Sequence, residues 1–367
     1  MFHPLRVREV ERLTDDSVAV TFAVPPELYE TFRHVPGQHV TLRRAACHED
    51  GGGASPDETR DAEVRRTYSI CVPAVRPPGE PVLRVGIRLV EGGEFSTYAL
   101  KELSAGDTVD VMPPMGRFTL RPRPGRFAAI VGGSGITPVL SIASTLLAER
   151  PDARFCLIRS DRTVASAMFL EEVAELKDRH PDRFHLVHTL SREERQAGLP
   201  TGRLDTARLT ALLPALLPVA DVDGWFLCGP HGLVRGAVDA LTALGVPASA
   251  VHQEIFHVDD ALTDAAPRTP VQAVPGGSTL TATLGGRMGT WQVGGDETVL
   301  ETVLRNRSDA PYACKGGVCG TCRVKLVSGE VRMDRNYALE PDEVSAGYVL
   351  ACQSRPATGT VEVDFDA

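Results

Sequence analysis

Three cysteines and three glycines fall within the nine residues CKGGVCGTC, Cys314 to Cys322, in a chain of 367 residues that has only eight cysteines. A run so rich in soft ligands and so poor in bulk cannot be packed as ordinary core. It has to form a tight loop around something that binds sulfur. A further cysteine, Cys352, follows after 29 intervening residues in YVLACQS. The spacing C-x4-C-x2-C with a distant fourth thiol supplies three ligands from one loop and one from a separate strand, which is what a [2Fe–2S] cluster requires. Gly316, Gly317 and Gly320 allow the backbone to approach the bridging sulfides and aim N–H groups at them. A zinc knuckle would favour two C-x2-C pairs, and one is present; four unrelated buried thiols is the other alternative. Cys47, Cys71 and Cys156 are isolated in sequence and carry no assigned role.

The net charge of −9 argues against binding a phosphate backbone, which needs clustered positive charge. No apolar run approaches the ~18 residues that span a bilayer, and the N-terminal MFHPLRVREV lacks the apolar centre of a signal peptide. The expected location is therefore cytoplasmic, where clustered cysteines bind metal more often than they form disulfides. H-E-x-x-H, G-x-S-x-G and P-loop patterns are absent from the sequence. His185 and His188 lie three apart in an apparent strand, on opposite faces, and are not expected to share a metal.

Six short β-rich runs fill the first third: LRVREVERL, SVAVTFAV, QHVTLRR, RTYSICV, VLRVGIRLV and DTVDVMPP. Their close spacing predicts an antiparallel barrel or sandwich. Residues 47–63, acidic and Gly-rich, read as a surface insertion. From Phe127 the pattern changes to strands followed by helical periods: RFAAIVG then TPVLSIASTLLAE, RFCLIRS then SAMFLEEVAELKD, GWFLCG then GLVRGAVDALTAL. This alternation predicts a parallel sheet covered by helices, with Val139, Leu140, Ile142, Ala143, Leu146 and Leu147 on one helical face. The expected division is 1–124, 125–256, a linker at 257–270 and a C-terminal domain at 271–367, where β-like runs surround one helix, ETVLETVLRN.

In IVGGSGITP a strand ends, a glycine turn follows, and a helix is expected to begin with Thr137 as N-cap and Pro138 in its first position. The free N–H groups of such a helix start suit a phosphate. Downstream, IRSDRTVAS ends the second strand of the same half. Ser160 and Arg162 could hold the 2′-phosphate of NADP, with Arg159 adding positive charge, whereas Asp161 would favour the ribose diol of NAD. The expectation is NADPH, with NADH as the alternative.

These segments together resemble the ferredoxin–NADP reductase superfamily, in the oxygenase-reductase branch that ends in a plant-type ferredoxin. RRTYSI and GGEFSTYAL resemble its two flavin motifs, IVGGSGITP its G-x-G-[IL]-T-P turn, FLCGPHGL its Cys-Gly-Pro turn, and VHQEIF the segment closing the nucleotide domain. The resemblance implies a flavin-binding antiparallel β-barrel, an α/β nucleotide domain and an α+β β-grasp ferredoxin domain. It implies FAD held by Arg66, Thr67, Tyr68 and Ser69, with Gly93, Phe95, Ser96 and Thr97 offering backbone and hydroxyl donors to the pyrophosphate. It places Gly133, Gly135, Thr137, Pro138, Cys228, Gly229 and Pro230 around the nicotinamide nucleotide and Phe256 near the flavin. Ser69, Cys228 and Glu254 would shape the site where nicotinamide meets flavin. The implied function is electron transfer from NAD(P)H through FAD and the cluster on Cys314, Cys319, Cys322 and Cys352 to a di-iron oxygenase. Another multicomponent oxygenase as acceptor, or a redox-sensing or metal-binding module without catalysis, are the alternatives. Relatives read Tyr-Gly-Asn-Arg where this chain has Arg159-Ser160-Asp161-Arg162.

Overall fold

The computed structural model describes residues 2–44, 64–193, 202–257 and 277–367. The insertion at 47–63, with Cys47, and the linker from 258 onward lie outside these residues. Two compact units result, Met1–His257 and Val258–Ala367.

The first unit begins with the six strands expected from the sequence: β1 (His3–Thr14), β2 (Ser17–Ala23), β3 (His39–Arg44), β4 (Val64–Ser69), β5 (Leu83–Arg88) and β6 (Thr108–Val111). They form an antiparallel sheet in the order β4-β3-β6-β1-β2-β5. An antiparallel bridge between Ile70 and Val85 joins its two ends, closing the sheet into a barrel. Val20, Phe32, Val40, Leu42, Leu83, Val85 and Ile87 fill the interior. Phe32 comes from a single helical turn, α1 (Tyr29–Phe32), and α2 (Glu94–Lys101) covers the barrel with Phe95 buried beneath it.

The second half of this unit is a five-stranded parallel sheet of β7 (Gly125–Gly132), β8 (Ala153–Asp161), β9 (Phe184–Leu190), β10 (Gly224–Pro230) and β11 (Val251–His257). Its order is β11-β10-β7-β8-β9. The chain works outward from β7 to β9, then returns past β7 to place β10 on the other side. Connections therefore diverge between β7 and β10, and the carboxyl ends of those strands open a crevice at the switch point where such folds bind ligands. Four helices accompany the sheet: α3 (Ile136–Glu149), α4 (Leu170–Arg179), α5 (Thr206–Leu216) and α6 (His231–Ala243).

Three details differ from the sequence reading. The helix α4 starts at Leu170, several residues later than SAMFLEEV suggests, because Phe169 adopts a left-handed conformation with φ of 57°. The helix α5 is obscured in the sequence by an internal Pro214. His257 belongs to β11, so any linker begins after it. The apolar face expected of α3 is present, but Thr137, Ser141 and Thr145 are buried as well. Ser141 Oγ donates to Val72 O at 2.7 Å and Thr145 Oγ1 accepts from Ala74 N at 2.9 Å, tying the helix to a loop of the barrel. Hydroxyls in a helix interior are tolerated here because each has a partner.

The second unit is a mixed sheet of β12 (Thr279–Leu284), β13 (Arg287–Gln292), β14 (Arg323–Ser328), β16 (Tyr348–Leu350) and β18 (Thr360–Asp364), ordered β13-β12-β18-β14-β16. The short β15 (Val331–Met333) and β17 (Ser354–Pro356) pair separately. Only β12 and β18 run parallel. The helix α7 (Val299–Asn306) is held by a capping box in which Thr298 and Glu301 satisfy each other's backbone N–H. It buries Val299, Leu300 and Val303 in a core shared with Leu280, Val324, Leu350 and Val363, each contributing about 1.5–3 kcal/mol by burial.

Candidate functional site

The switch point is made by two glycine turns pressed together. After β7 the backbone winds through a 3₁₀ turn, Gly133–Gly135, straight into α3. A Cβ on Gly135 would lie 2.2 Å from Cys228 O, so only glycine lets the two turns touch. Gly229 has φ of 144°, a conformation few other residues adopt. Because the turn is itself helical, Thr137 is not the N-cap. Gly135 holds that place, Thr137 is buried in the first turn with Oγ1 donating to Ser134 O at 2.9 Å, and Pro138 follows it. The first N–H groups of a fourteen-residue helix still face the crevice end of the sheet. Gly135→Ala is expected to raise the KM for pyridine nucleotide by about 10-fold or more, since a misplaced turn costs on the order of 100-fold in well-oriented sites. Steady-state kinetics with a one-electron acceptor checks this, and an unchanged KM would refute the role of the close approach.

Beside this crevice three polar side chains meet, with Ser69 next to one of them across a strand pair. Cys228 and Glu254 are register partners on β10 and β11, and the thiol donates to Glu254 Oε2 over 3.9 Å. Glu254 Oε1 is 3.7 Å from His39 Nδ1. His39 is the antiparallel partner of Ser69 across β3 and β4, so the two side chains leave the barrel on the same face. Both are buried. Cys228 and Glu254 are thus brought together, His39 joins them unforeseen, and Ser69 lies beside His39 on the same barrel face. The register opposite Ser69 in QHVTLRR was the signal that could have found it. Burial, then the Glu254 carboxylate, push the Cys228 thiol well above its ordinary range, so the sulfur stays protonated and is no nucleophile.

Along β4, Arg66 is exposed and Tyr68 packs on Phe95 with ring centroids 5.6 Å apart. The Ser96 and Thr97 hydroxyls do not point outward as expected. Ser96 Oγ donates to Gly93 O at 3.0 Å and Thr97 Oγ1 to the same oxygen at 2.8 Å, because the turn into α2 needs those bonds. What α2 offers an anion is its first backbone N–H groups.

At the end of β8, Ser160 is half-buried and Arg162 exposed, but Arg159 and Asp161 are both turned inward. Arg159 Nε donates to Asp161 Oδ2 at 2.8 Å and His188 Nε2 lies 2.9 Å from the same oxygen. Neither the charge that Arg159 was to add nor the repulsion assigned to Asp161 reaches the crevice. A buried carboxylate must be paired, and Arg159 is the partner two residues away on the same strand face.

In the second unit the four thiols form two pairs. Cys314 hydrogen-bonds Cys319, and Cys322 hydrogen-bonds Cys352. Cys319, then backbone N–H groups of Gly316, Val318 and Cys319, hold the Cys314 thiol down to about 5. Gly316 N–H points at that sulfur over 3.3 Å. Gln353, missed in the sequence although it follows a ligand directly, donates to Lys315 O at 2.8 Å and reaches Cys352 Sγ at 3.6 Å, strapping the distant ligand to the loop.

The residues fit the groups implied for them. The buried His39 Nε2 has no partner among the described residues, beside a crevice of helix starts suited to pyrophosphate. The thiolate set with inward N–H groups suits a sulfide-bridged cluster. Fold and sites together define a class: a reductase that joins a pyridine-nucleotide and flavin unit to a ferredoxin-like one. Residues 129–239 match the oxidoreductase NAD-binding domain and 283–357 the 2Fe-2S iron-sulfur cluster binding domain. The chain belongs to the ferredoxin–NADP reductase superfamily, in its oxygenase-reductase branch. It is 41% identical over 370 residues to a component of the 1,2-phenylacetyl-CoA epoxidase of Escherichia coli (strain K12), covering 100% of this chain and 98% of that relative. To the ferredoxin reductase component of 3-ketosteroid-9-alpha-monooxygenase from Rhodococcus rhodochrous it is 30% identical, covering 98% and 96%. Phthalate dioxygenase reductase, described as modular for electron transfer from pyridine nucleotides to [2Fe–2S], shares the fold with TM-score 0.57 and 24% identity over 99% of this chain and 98% of that one. The chain is an NAD(P)H-dependent electron-transfer reductase serving an oxygenase. FAD, when bound, takes electrons in pairs from the nicotinamide and the cluster carries them singly. Among the described residues no helix is long and apolar enough to cross a membrane.

Proposed function

We propose that this chain is the NADPH-dependent reductase component of a di-iron monooxygenase of the phenylacetyl-CoA epoxidase kind, acting in phenylacetate catabolism. The observation that carries the reading is the 41% identity across the whole chain to a component of that epoxidase, against 30% to the ketosteroid component. The substrate chemistry takes place on the partner oxygenase. The domain limits 1–124, 125–256 and 271–367 belong to this reading.

The residues of this chain divide the work by position. Arg66, with Thr67 beside it, holds flavin pyrophosphate through a planar guanidinium that matches phosphate oxygens, and Gly93 opens α2 so that the N–H groups of Phe95 and Ser96 face the same anion, while the Thr97 N–H is taken by Gly93 O. Tyr68 covers the flavin ring. Ser69 supplies a hydroxyl at the flavin edge, and Cys228 and Glu254 fix where the nicotinamide stops. Gly133, Gly135, Thr137 and Pro138 build one wall of the nucleotide site, Gly229 and Pro230 the other, and Phe256 shields the flavin from water. Cys314, Cys319, Cys322 and Cys352 hold the cluster.

NADPH preference is supported by the pairing of Asp161 with Arg159 and His188. With that carboxylate occupied, Ser160 and Arg162 are left to meet a 2′-phosphate. Arg162→Ala is expected to raise the KM for NADPH about 10-fold, the worth of one charge-assisted contact, and to leave NADH unchanged. Equal effects on both would overturn the preference. The function itself is tested by mixing the reductase, NADPH and candidate oxygenases. Oxygenation of phenylacetyl-CoA that depends on this chain supports the reading; efficient reduction of a different oxygenase and none of the epoxidase overturns it.

A further inference from the structure

Cys352 is the one proposed cluster ligand outside the loop 314–322, and the side chain that follows it reaches back to that loop. Gln353 Nε2 stands 2.8 Å from Lys315 O, 3.1 Å from Cys352 O and 3.6 Å from Cys352 Sγ. Two of these neighbours are carbonyl oxygens, which only accept, so the amide presents its NH₂ group on this side and turns its oxygen away. An NH₂ group has two hydrogens. Lys315 O, the nearest acceptor, takes one, and the other lies between the Cys352 carbonyl and the Cys352 sulfur.

The surrounding backbone holds the amide there. Gln353 N donates to Leu350 O at 2.9 Å and Gln353 O accepts from Asp334 N at 2.8 Å. Lys315 has φ of 52°, a left-handed conformation that is uncommon outside glycine and persists where its surroundings enforce it. Its carbonyl is the one the amide grips. Gly317 passes so close that a Cβ there would lie 3.1 Å from Gln353 Cγ, and its own φ is 78°, so the loop packs against the glutamine stem at a point where glycine is needed. Cys314 has a backbone donor, the Gly316 N–H at 3.3 Å. At Cys352 a donor is a side chain, which the sequence is free to set.

We propose that Gln353 raises the reduction potential of the cluster: its amide leans toward Cys352 Sγ as that sulfur gains negative charge, and so favours the state that holds the transferred electron. The inference rests on Cys352 as a ligand, as proposed above. A sulfur that gains charge becomes a better acceptor, and a charge-assisted hydrogen bond is stronger than the bond the same amide makes to a neutral oxygen. Hydrogen bonds to the sulfurs are among the factors that set the potentials of such centres. One electron enters and no proton moves, because the amide keeps both hydrogens. The Cys352 carbonyl gives up its share while Lys315 O keeps its own, so the strap to the loop stays closed throughout. Gln353 acts through its neighbour's sulfur and is a positioning residue.

An EPR-monitored redox titration of the cofactor-loaded protein tests this. Gln353→Leu, which fills similar space without a donor, should lower the ratio of reduced to oxidised cluster at a fixed potential about 10-fold, a downward shift of about 59 mV for one electron. The flavin midpoint should stay where it is. A cluster midpoint that stays put or moves upward would overturn the proposal. A second measurement needs no variant: the natural chain, carrying glutamine labelled with ¹⁵N at the side-chain amide, should show a ¹⁵N coupling in pulsed EPR of the reduced protein. Absence of that coupling overturns the proposal even if Gln353→Leu fails to hold its cluster. Cys352→Ser, run in parallel, separates two failures. A cluster retained there removes the ligand reading and this inference together, whereas a cluster lost there with an unmoved midpoint in Gln353→Leu removes this inference alone.

Discussion

Cys352→Ser leaves a protein whose flavin is still bleached by NADPH and whose onward electron transfer is lost. The reason lies in how that thiol is held. Cys352 lies two residues beyond β16, far in sequence from the loop that carries the other three ligands, and is buried. Its neighbours bind it to that loop twice: Ala351 N donates to Cys322 O at 3.0 Å and Gln353 Nε2 to Lys315 O at 2.8 Å. Serine keeps the backbone and these straps, so the fold survives, but it replaces a soft thiolate by a hydroxyl that stays protonated and binds iron poorly. Changes in the surroundings of a metal ligand already cost 10–100-fold, so loss of the ligand itself should lower reduction of an oxygenase or of cytochrome c by about 100-fold or more. The residues proposed to hold the flavin lie in the other compact unit, and ferricyanide reduction directly from it should continue. Iron and sulfide analysis with visible spectra would separate the cases. Retention of both the cluster and cytochrome c reduction in the serine variant would mean that Cys352 is not a ligand.

The same contrast between chemistry and register explains what the sequence disclosed. Thiol spacing is a chemical requirement written in one dimension, so the four thiols proposed as cluster ligands stand out without any structure. Glycines that must touch another backbone, such as Gly135 against Cys228 O, stand out because no other residue fits. The six barrel strands were legible from alternation, and the parallel sheet from uninterrupted apolar runs. What escaped depends on which residues face each other across strands. His39 is a site residue because it pairs with Ser69, and His188 matters because it pairs with Arg159; neither partner is visible from local pattern. The hydroxyls of Ser96 and Thr97 were read as ligand donors and Thr137 as an N-cap, and the backbone of their own turns claims all three hydroxyls instead. Short polar side chains at a helix start serve the helix before they serve a ligand. The inward turn of Asp161 is a tertiary fact of the same kind. Alternation along β8 puts Arg159 and Asp161 on one face, but only the sheet's burial says that this face is closed to water.

That closed face makes Asp161 the residue whose loss the nucleotide half should tolerate least. Its carboxylate and the Arg159 guanidinium are each about 1% exposed at the side chain, 2.8 Å apart, with His188 at 2.9 Å. Asp161→Ala leaves the guanidinium buried with one remaining bond, to Met168 O at 3.1 Å. Breaking a buried pair by removing one partner costs about 3–5 kcal/mol, a large share of a total of roughly 5–15 kcal/mol. For a unit of this size each kcal/mol moves the melting temperature by about 2–4 °C, so a fall of roughly 10 °C is expected by calorimetry. Removing both charges should hurt far less, since apolar replacement of a buried pair is often neutral; Arg159→Met with Asp161→Leu should recover most of the loss. The pH dependence has a definite sign. Burial alone would raise the Asp161 carboxyl, but the His188 hydrogen bond and the Arg159 charge outweigh it and hold it below the ordinary 3.8. A carboxyl lowered in the folded state stabilises fully above its unfolded value and loses that contribution as pH falls through the folded one. The gap in melting temperature between the natural chain and Asp161→Ala should therefore be widest near neutrality and narrow in acid below the ordinary carboxylate range. A single variant that melts within about 2 °C of the natural chain at neutral pH, less than one kcal/mol, would show that the pair carries no such weight.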